Sequence, residues 1–319
     1  MARIDIFNGD ADGICALAQL RNAEPVESRL VTGVKRDIAL VEKAGISGED
    51  DVTVLDISLD KNRDGLVAAL EAGARVTYFD HHFAGKIPDF DNLSASIDPS
   101  SDVCTSILVN RHLDGAFVEW AIVGAFGDNL KASAEALVAP LGLPADRVEV
   151  MENLGIYLNY NGYGASLEDL HFPPAELFAR VRPFASPFAF VEDAQETFEK
   201  LESGYHEDMG SARDLRPARE SDSSAVYMLP DESWARRASG VFSNELANGA
   251  PARGHAVITE RADGTYLVSV RAPLENKVGA DEICRRFPTG GGRKAAAGIN
   301  NLPADQLDDF IDQFGEFYA

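Results

Sequence analysis

Short apolar runs alternate with helix-patterned stretches through the first third of the chain. Residues 3–7 read as a strand. After Asn8-Gly9-Asp10-Ala11-Asp12-Gly13, the residues Ile14-Cys15-Ala16-Leu17-Ala18-Gln19-Leu20 read as the start of a helix. A buried-looking strand over 51–55 runs into Asp56, and 62–72 is helical in pattern with Gly73 as its cap. Arg75-Val76-Thr77-Tyr78-Phe79 is then a β-branched and aromatic strand that stops abruptly at Asp80-His81-His82. Strands alternating with helices predict a parallel sheet with right-handed crossovers.

Further along, the loop 98–106 leads into a helix over 107–112. Its hydroxyls either meet a phosphate at a helix N-terminus or cap the helix. An apolar helical run over 117–126 ends at Gly127-Asp128-Asn129. The stretch 130–170 is helical in pattern, interrupted by Asn159-Tyr160-Asn161-Gly162-Tyr163-Gly164, which reads as a pocket-shaping segment or a plain loop. Pro173-Pro174, Pro183 and Pro187 punctuate short helices, and the acidic, helix-prone 191–214 reads as a connector and hinge. A second α/β unit starts near Ser224. It has a strand over 225–229, a helix over 234–246, and a hairpin of 255–260 with 265–271 across Arg261-Ala262-Asp263-Gly264. A helix over 281–287, a Gly-rich loop over 289–298 and a final helix over 303–317 complete it. The expected organisation is a domain over 1–190, a helical connector over 191–222 and a smaller domain over 223–319.

Composition narrows the class. At 319 residues, 45% hydrophobic and 25% charged, the chain suits a two-domain globular protein. Cys15, Cys104 and Cys284 are too few and too scattered for a disulfide framework or a thiolate zinc site, so a reducing cytoplasm is expected. The N-terminus enters a strand without a signal-peptide apolar core, and no apolar run is long enough to span a bilayer. A formal charge of −23 opposes stable binding to duplex DNA, although solubility or a salty cytoplasm explains it equally well. Against that background, 271–294 carries six basic residues and three acidic ones. Its Gly triplet lets backbone N–H groups approach an anion, and Arg271 and Arg293 flank it. A tight turn between helix and strand would use the same glycines.

Asp10, Asp12, Asp56, Asp80, His81, His82 and Asp128 gather at strand or helix ends, where ligands bind in open α/β sheets. Any one of these Asp residues alone reads as a helix cap or turn residue. Successive strands ending in carboxylates make a site. Hard oxygen donors with imidazole suit Mn²⁺ or Mg²⁺. Two such ions sharing a bridging carboxylate would lie about 3.5–4 Å apart and suit in-line attack on phosphorus. No Gly-Lys-Ser/Thr loop is present, so this is not a Walker-type nucleotide site.

These motifs resemble those of the DHH phosphoesterase superfamily over nearly the whole chain. Asp10-Ala11-Asp12-Gly13 is similar to that family's first motif, Asp56 to its second, Asp80-His81-His82 to the naming triplet, and Gly127-Asp128-Asn129 to its fourth. The C-terminal unit resembles the DHH-associated domain, with Arg271 as its strand-end arginine and Gly290-Gly291-Gly292-Arg293 as its glycine loop. The resemblance implies an α/β fold: an N-terminal parallel-sheet domain, a smaller C-terminal α/β domain and a cleft between them. It also implies two ions, Mn²⁺ with Mg²⁺ or Co²⁺ as alternatives. Asp10 and a bridging Asp56 would hold the first, with Asn8 as a weaker ligand. Asp12, Asp56, His81 and Asp128 would hold the second. His82 would face the phosphate, Asp80 would orient the site, and Arg271, Gly290, Gly291, Gly292 and Arg293 would grip a phosphate or nucleotide. Two departures stand out: Asn8 or Ile6 where many relatives have a His shortly before the first Asp pair, and Arg293 where relatives often have His.

The expected function is hydrolysis of phosphodiester or phosphomonoester bonds in a short oligonucleotide, linear dinucleotide or nucleotide bisphosphate. The alternatives are a RecJ-like single-strand exonuclease, an exopolyphosphatase and a non-catalytic nucleotide-binding module. A homodimer is compatible with all of these.

Overall fold

Alternation within the first strand decides the N-terminal architecture of this computed structural model, which describes residues 2–319. In β1 (Arg3–Phe7), Ile4 and Ile6 join one apolar cluster while Phe7 joins another, so the strand is covered on both faces. The chain continues through α1 (Ala11–Ala23), β2 (Arg29–Val31), β3 (Asp51–Leu55), α2 (Leu59–Glu71), β4 (Arg75–Asp80) and β5 (Leu93–Ile97). All neighbouring strands pair in parallel, in the order β2-β1-β3-β4-β5. Leu66 and Leu70 of α2 pack with Ile4, Ile6, Val52, Val54, Val76 and Tyr78 on one face. The other face is covered by α1 together with α3 (Thr105–His112), α4 (Val118–Gly127) and α6 (Ala145–Asn161), with α5 (Lys131–Val138) between the last two. Beneath α1 a buried ion pair fixes helix to sheet. Arg21 donates to both Asp5 oxygens at 2.8 and 2.5 Å and to Thr53 Oγ1 at 3.1 Å.

Next come α7 (Pro174–Val181), α8 (Pro187–Asp193) and the long α9 (Gln195–Arg213). The chain divides into two compact units within α9, between Tyr205 and His206. The stretch read as a connector is thus largely one continuous helix. In the first unit Phe198 and Tyr205 pack on Tyr157 with ring centroids 5.9 and 5.4 Å apart. In the second, Asp208 accepts from Arg237 at 2.6 and 2.9 Å.

The second unit holds β6 (Arg219–Glu220), β7 (Ser224–Leu229), α10 (Ser233–Gly249), β8 (Gly254–Glu260), β9 (Tyr266–Arg271), α11 (Ala280–Cys284), β10 (Gly290–Gly292), β11 (Ala296–Leu302) and α12 (Leu307–Phe317). Its six-stranded sheet runs β10-β11-β9-β8-β7-β6, antiparallel except for the β7/β8 pair. Phe310 and Phe314 of α12 pack with Val268, Val270 and Ile299 of the sheet in a core of its own.

Several sequence expectations change. Helix α1 begins at Ala11 and α3 at Thr105, each earlier than the apolar pattern indicates, because polar residues fill their first turns. Helix α6 runs to Asn161, so Asn159 and Tyr160 lie in its last turns and not in a loop. Helix α11 stops at Cys284, short of Phe287. Strands β2 and β5 went unread, one being only three residues long and the other, Leu-Ser-Ala-Ser-Ile, small and polar. The Gly-rich segment is a β-hairpin: Gly290, Gly291 and Gly292 pair with Ile299, Gly298 and Ala297.

Candidate metal centre

The strand order reverses between β1 and β3, and at that switch point the carboxyl ends of neighbouring strands open onto one place. Asn8 closes the end of β1, its N–H donating to Leu55 O at 3.2 Å. Asp10 caps α1, accepting from Gly13 N at 3.1 Å. Asp12 lies in the first turn of α1, where a carboxylate is favoured by the helix dipole. Its two oxygens accept from Thr105 N and Ser106 N, both at 2.7 Å. Those N–H groups begin α3, so of the two alternatives for this helix N-terminus, phosphate binding and capping, the structure shows capping, by Asp12.

Asp56 follows β3 with φ +58°, a left-handed conformation that Asp tolerates better than most residues. Its N–H donates to Phe79 O at 3.0 Å, and its Oδ1 accepts from Thr105 Oγ1 at 3.1 Å. After β4, neighbouring imidazoles take different anchors. His81 Nδ1 donates to Val103 O at 3.0 Å, which leaves Nε2 as an electron-pair donor 3.4 Å from Asp56 Oδ1 and 3.7 Å from Asp128 Oδ2. His82 Nδ1 lies 2.6 Å from Asp80 Oδ1; the other oxygen of fully buried Asp80 has no hydrogen-bond partner. Asp128 caps the C-terminal end of α4, a helix drawn close to its neighbours. A Cβ at Gly127 would lie 2.3 Å from Ala11 Cβ and 2.8 Å from Gly155 O.

The electrostatics of this cluster call for a cation. Burial pushes Asp56 well above the usual carboxylate range, and Asp10, Asp12, Asp128 and Asp80 push it further. Burial, then Asp12 and Asp10, raise Asp128 to about 7. The hydrogen bond to Asp80 raises His82. Carboxylates crowded this closely do not all ionise at neutral pH without a counter-charge. The donor set fits a hard divalent ion: Asp12, His81 and Asp128 each bring a ligand atom within 4.8 Å of the others, as do Asp56, His81 and His82.

The structure therefore brings together Asp12, Asp56, His81, His82 and Asp128, with Asp80 behind His82. Asp10 belongs to neither of these groupings, although its side chain lies within hydrogen-bond reach of Asp56. Its Oδ2 lies 2.6 Å from Lys35 Nζ, and the side-chain oxygen of buried Asn8 has no partner. The sequence reading missed Lys35, and it read the Thr105 hydroxyl as a phosphate contact or cap where it anchors Asp56; Phe83 beside the cluster also went unremarked. Phe83 follows His82 directly and is 74% exposed. Its position directly after Asp80-His81-His82 was the signal available in the sequence.

In the second unit Arg271 ends β9, opposite Ala296 in register, and donates to Asn244 Oδ1 at 2.7 Å. Arg293 is exposed and closes the β10–β11 turn, its N–H donating to Ala296 O at 2.9 Å. Gly290 and Gly292 answer to packing, since a Cβ would lie 1.8 Å from Cys284 O at the first and 2.5 Å from Ala297 Cα at the second. Gly291 faces open space.

No protein-family model and no curated protein match the sequence. Solved structures do. An exonuclease RecJ bound to manganese is 16% identical, with TM-score 0.66 over 99% of this chain and 90% of its own. RecJ from Thermus thermophilus in complex with Mn²⁺ is 18% identical, with TM-score 0.64 over 99% of this chain and 52% of its own. The pGpG-specific phosphodiesterase PggH from Vibrio cholerae is 14% identical, with TM-score 0.57 over 99% of both chains. These are DHH-superfamily proteins with a DHH-associated domain, and this chain shares their fold.

Proposed function

We propose that this chain, built on the DHH fold, is a divalent-metal-dependent phosphoesterase that hydrolyses phosphodiester bonds in short single-stranded nucleic acid. The observation that carries the reading is the donor cluster at the carboxyl ends of β3 and β4, supplied by Asp12, Asp56, His81 and Asp128. A bound Mn²⁺ or Mg²⁺ there would supply an activated water and positive charge for the developing phosphorane. The chain's own residues do the rest. Val103 O holds His81 with Nε2 toward the carboxylates. Thr105 and Ser106 hold Asp12 and Asp56 in place. His82, kept protonated to higher pH by Asp80, donates to a phosphate oxygen. Exposed Phe83 offers a face on which a base stacks. In the second unit, Arg271, Arg293 and the open edge at Gly291 offer donors to a phosphate.

The acidic surface supports short substrates such as linear dinucleotides. Fold likeness to RecJ supports a second reading, a single-strand exonuclease. A panel of pApA, a short RNA, single-stranded DNA, polyphosphate and a nucleotide 3′,5′-bisphosphate with Mn²⁺ separates them, with an Asp80→Ala, His81→Ala double mutant as control. Turnover confined to the shortest nucleotides and lost in the mutant is expected. Preference for long DNA selects the exonuclease, and nucleotide binding without turnover refutes hydrolysis.

A further inference from the structure

Lys35 is the one ammonium in contact with the carboxylate cluster among the described residues. It follows β2, and its backbone N–H donates to Gly162 O at 2.8 Å. Its Nζ is 2.6 Å from Asp10 Oδ2 and 2.7 Å from Asn159 Oδ1, and lies 5.6 Å from the centroid of the Tyr163 ring. The segment 159–164 thus has a use: it cradles this lysine. Asp10 Oδ1 accepts from the Gly13 N–H, and Oδ2 faces the ammonium, so the charge of Asp10 is already balanced by a cation.

Two ions fit the DHH motifs, but the residues here do not supply both. The first would need Asp10 and Asp56 plus an imidazole. Asn8 offers only a neutral oxygen in place of the imidazole, and Asp10 already has a cation. The second has Asp12, His81 and Asp128 within 4.8 Å of one another, with Asp56 Oδ1 3.4 Å from His81 Nε2. We infer that the Lys35 ammonium takes the place of the first ion, so that the centre binds a single divalent cation beside a built-in organic one. This rests on the metal-dependent reading above and adds to it the stoichiometry of the site. An ammonium on a four-carbon stem is a point charge with movable donors, which lets it neutralise Asp10 without demanding coordination geometry. A permanent cation there also removes the low-affinity half of a two-ion site from control by metal concentration.

The test is a count of bound ions. The full chain, stripped with chelator and dialysed, is titrated with Mn²⁺ by calorimetry, the metal content is measured, and the electron paramagnetic resonance spectrum is recorded. The expected result is one Mn²⁺ per chain with the spectrum of an isolated ion. Lys35→Ala frees Asp10 and should admit a second ion, giving the exchange-coupled spectrum of a pair about 3.5–4 Å apart. Lys35→Arg should stay at one. Two coupled ions in the unaltered protein would overturn the inference while leaving the phosphoesterase reading intact. No bound Mn²⁺ would overturn both. A Lys35→Ala protein that folds and still binds one ion would show that Lys35 is not what excludes the second. If that variant does not fold, the count on the unaltered protein decides alone.

Discussion

Gly127 sits where two halves of the metal centre are pressed together, which makes Gly127→Ala the sharpest structural test. Its neighbour Asp128 belongs to α4, while Ala11, flanked by Asp10 and Asp12, belongs to α1. An added Cβ would stand 2.3 Å from Ala11 Cβ and 2.8 Å from Gly155 O. Carbon atoms pack at about 3.5–4.0 Å, so the helices must part by more than about 1 Å. Overpacking of this kind costs about 1–3 kcal/mol. Replacing Gly by Ala in a helix returns about 1 kcal/mol, leaving a net loss of up to about 2 kcal/mol. The larger effect falls on metal binding, because the displacement separates Asp128 from Asp12 and His81. Loss of about 10–100-fold in Mn²⁺ affinity is expected, the range seen when the groups supporting metal ligands are disturbed. Urea denaturation gives the stability change and calorimetric titration the affinity. Gly240→Ala in α10 is the control, since its Cβ meets nothing within 4 Å. It should leave Mn²⁺ affinity unchanged and stabilise slightly. Wild-type Mn²⁺ affinity in Gly127→Ala would refute the view that close helix packing sets the centre's geometry.

Two further outcomes concern the second unit. His255 is buried, its Nδ1 has no partner, and burial followed by the charge of Arg253 lowers its pKa to about 4 from 6.5. The folded state therefore holds it neutral. Its contribution to stability is full above pH 6.5 and is lost as pH falls from there toward 4. Chemical denaturation across that window should show this loss, His255→Gln should flatten it, and an unchanged slope in the variant would count against the assignment. Gly290→Ala should lower the melting temperature through its collision with Cys284 O, whereas Gly291→Ala should leave melting unchanged and raise KM. Unchanged KM in Gly291→Ala would exclude the hairpin edge from substrate binding.

The parts of the site legible in the sequence are those carried by strand ends. A buried β-branched strand that stops at a carboxylate announces both the strand and the place its last side chain points. On that signal Asp56 and Asp80-His81-His82 stood out, and Asp12 and Asp128 followed from the motif order. Lys35 could not be found that way. It reaches Asp10 only because β2 lies alongside β1 as a three-residue edge strand with Arg at its start, a pattern too short and too polar to read. Its second anchor, Asn159, comes from 124 residues further on. The glycine hairpin was hidden for a different reason. Glycine has little strand propensity, and pairing with Ala297, Gly298 and Ile299 is imposed by the neighbouring strand.

Charge balance ties these observations together. Two divalent ions would neutralise Asp10, Asp12, Asp56 and Asp128, whereas one divalent ion with the Lys35 ammonium leaves them a single charge short. Under the proposed function, a phosphodiester would bring another negative charge to that centre. A protonated imidazole answers it, and His82 is the group placed and tuned to do so, since Asp80 behind it is fully buried and holds the proton on the ring. In a site with two ions His82 would refine catalysis. In the one-ion site proposed above it would complete the charge that the substrate needs in order to bind, and the role of Asp80 would then follow from the presence of Lys35.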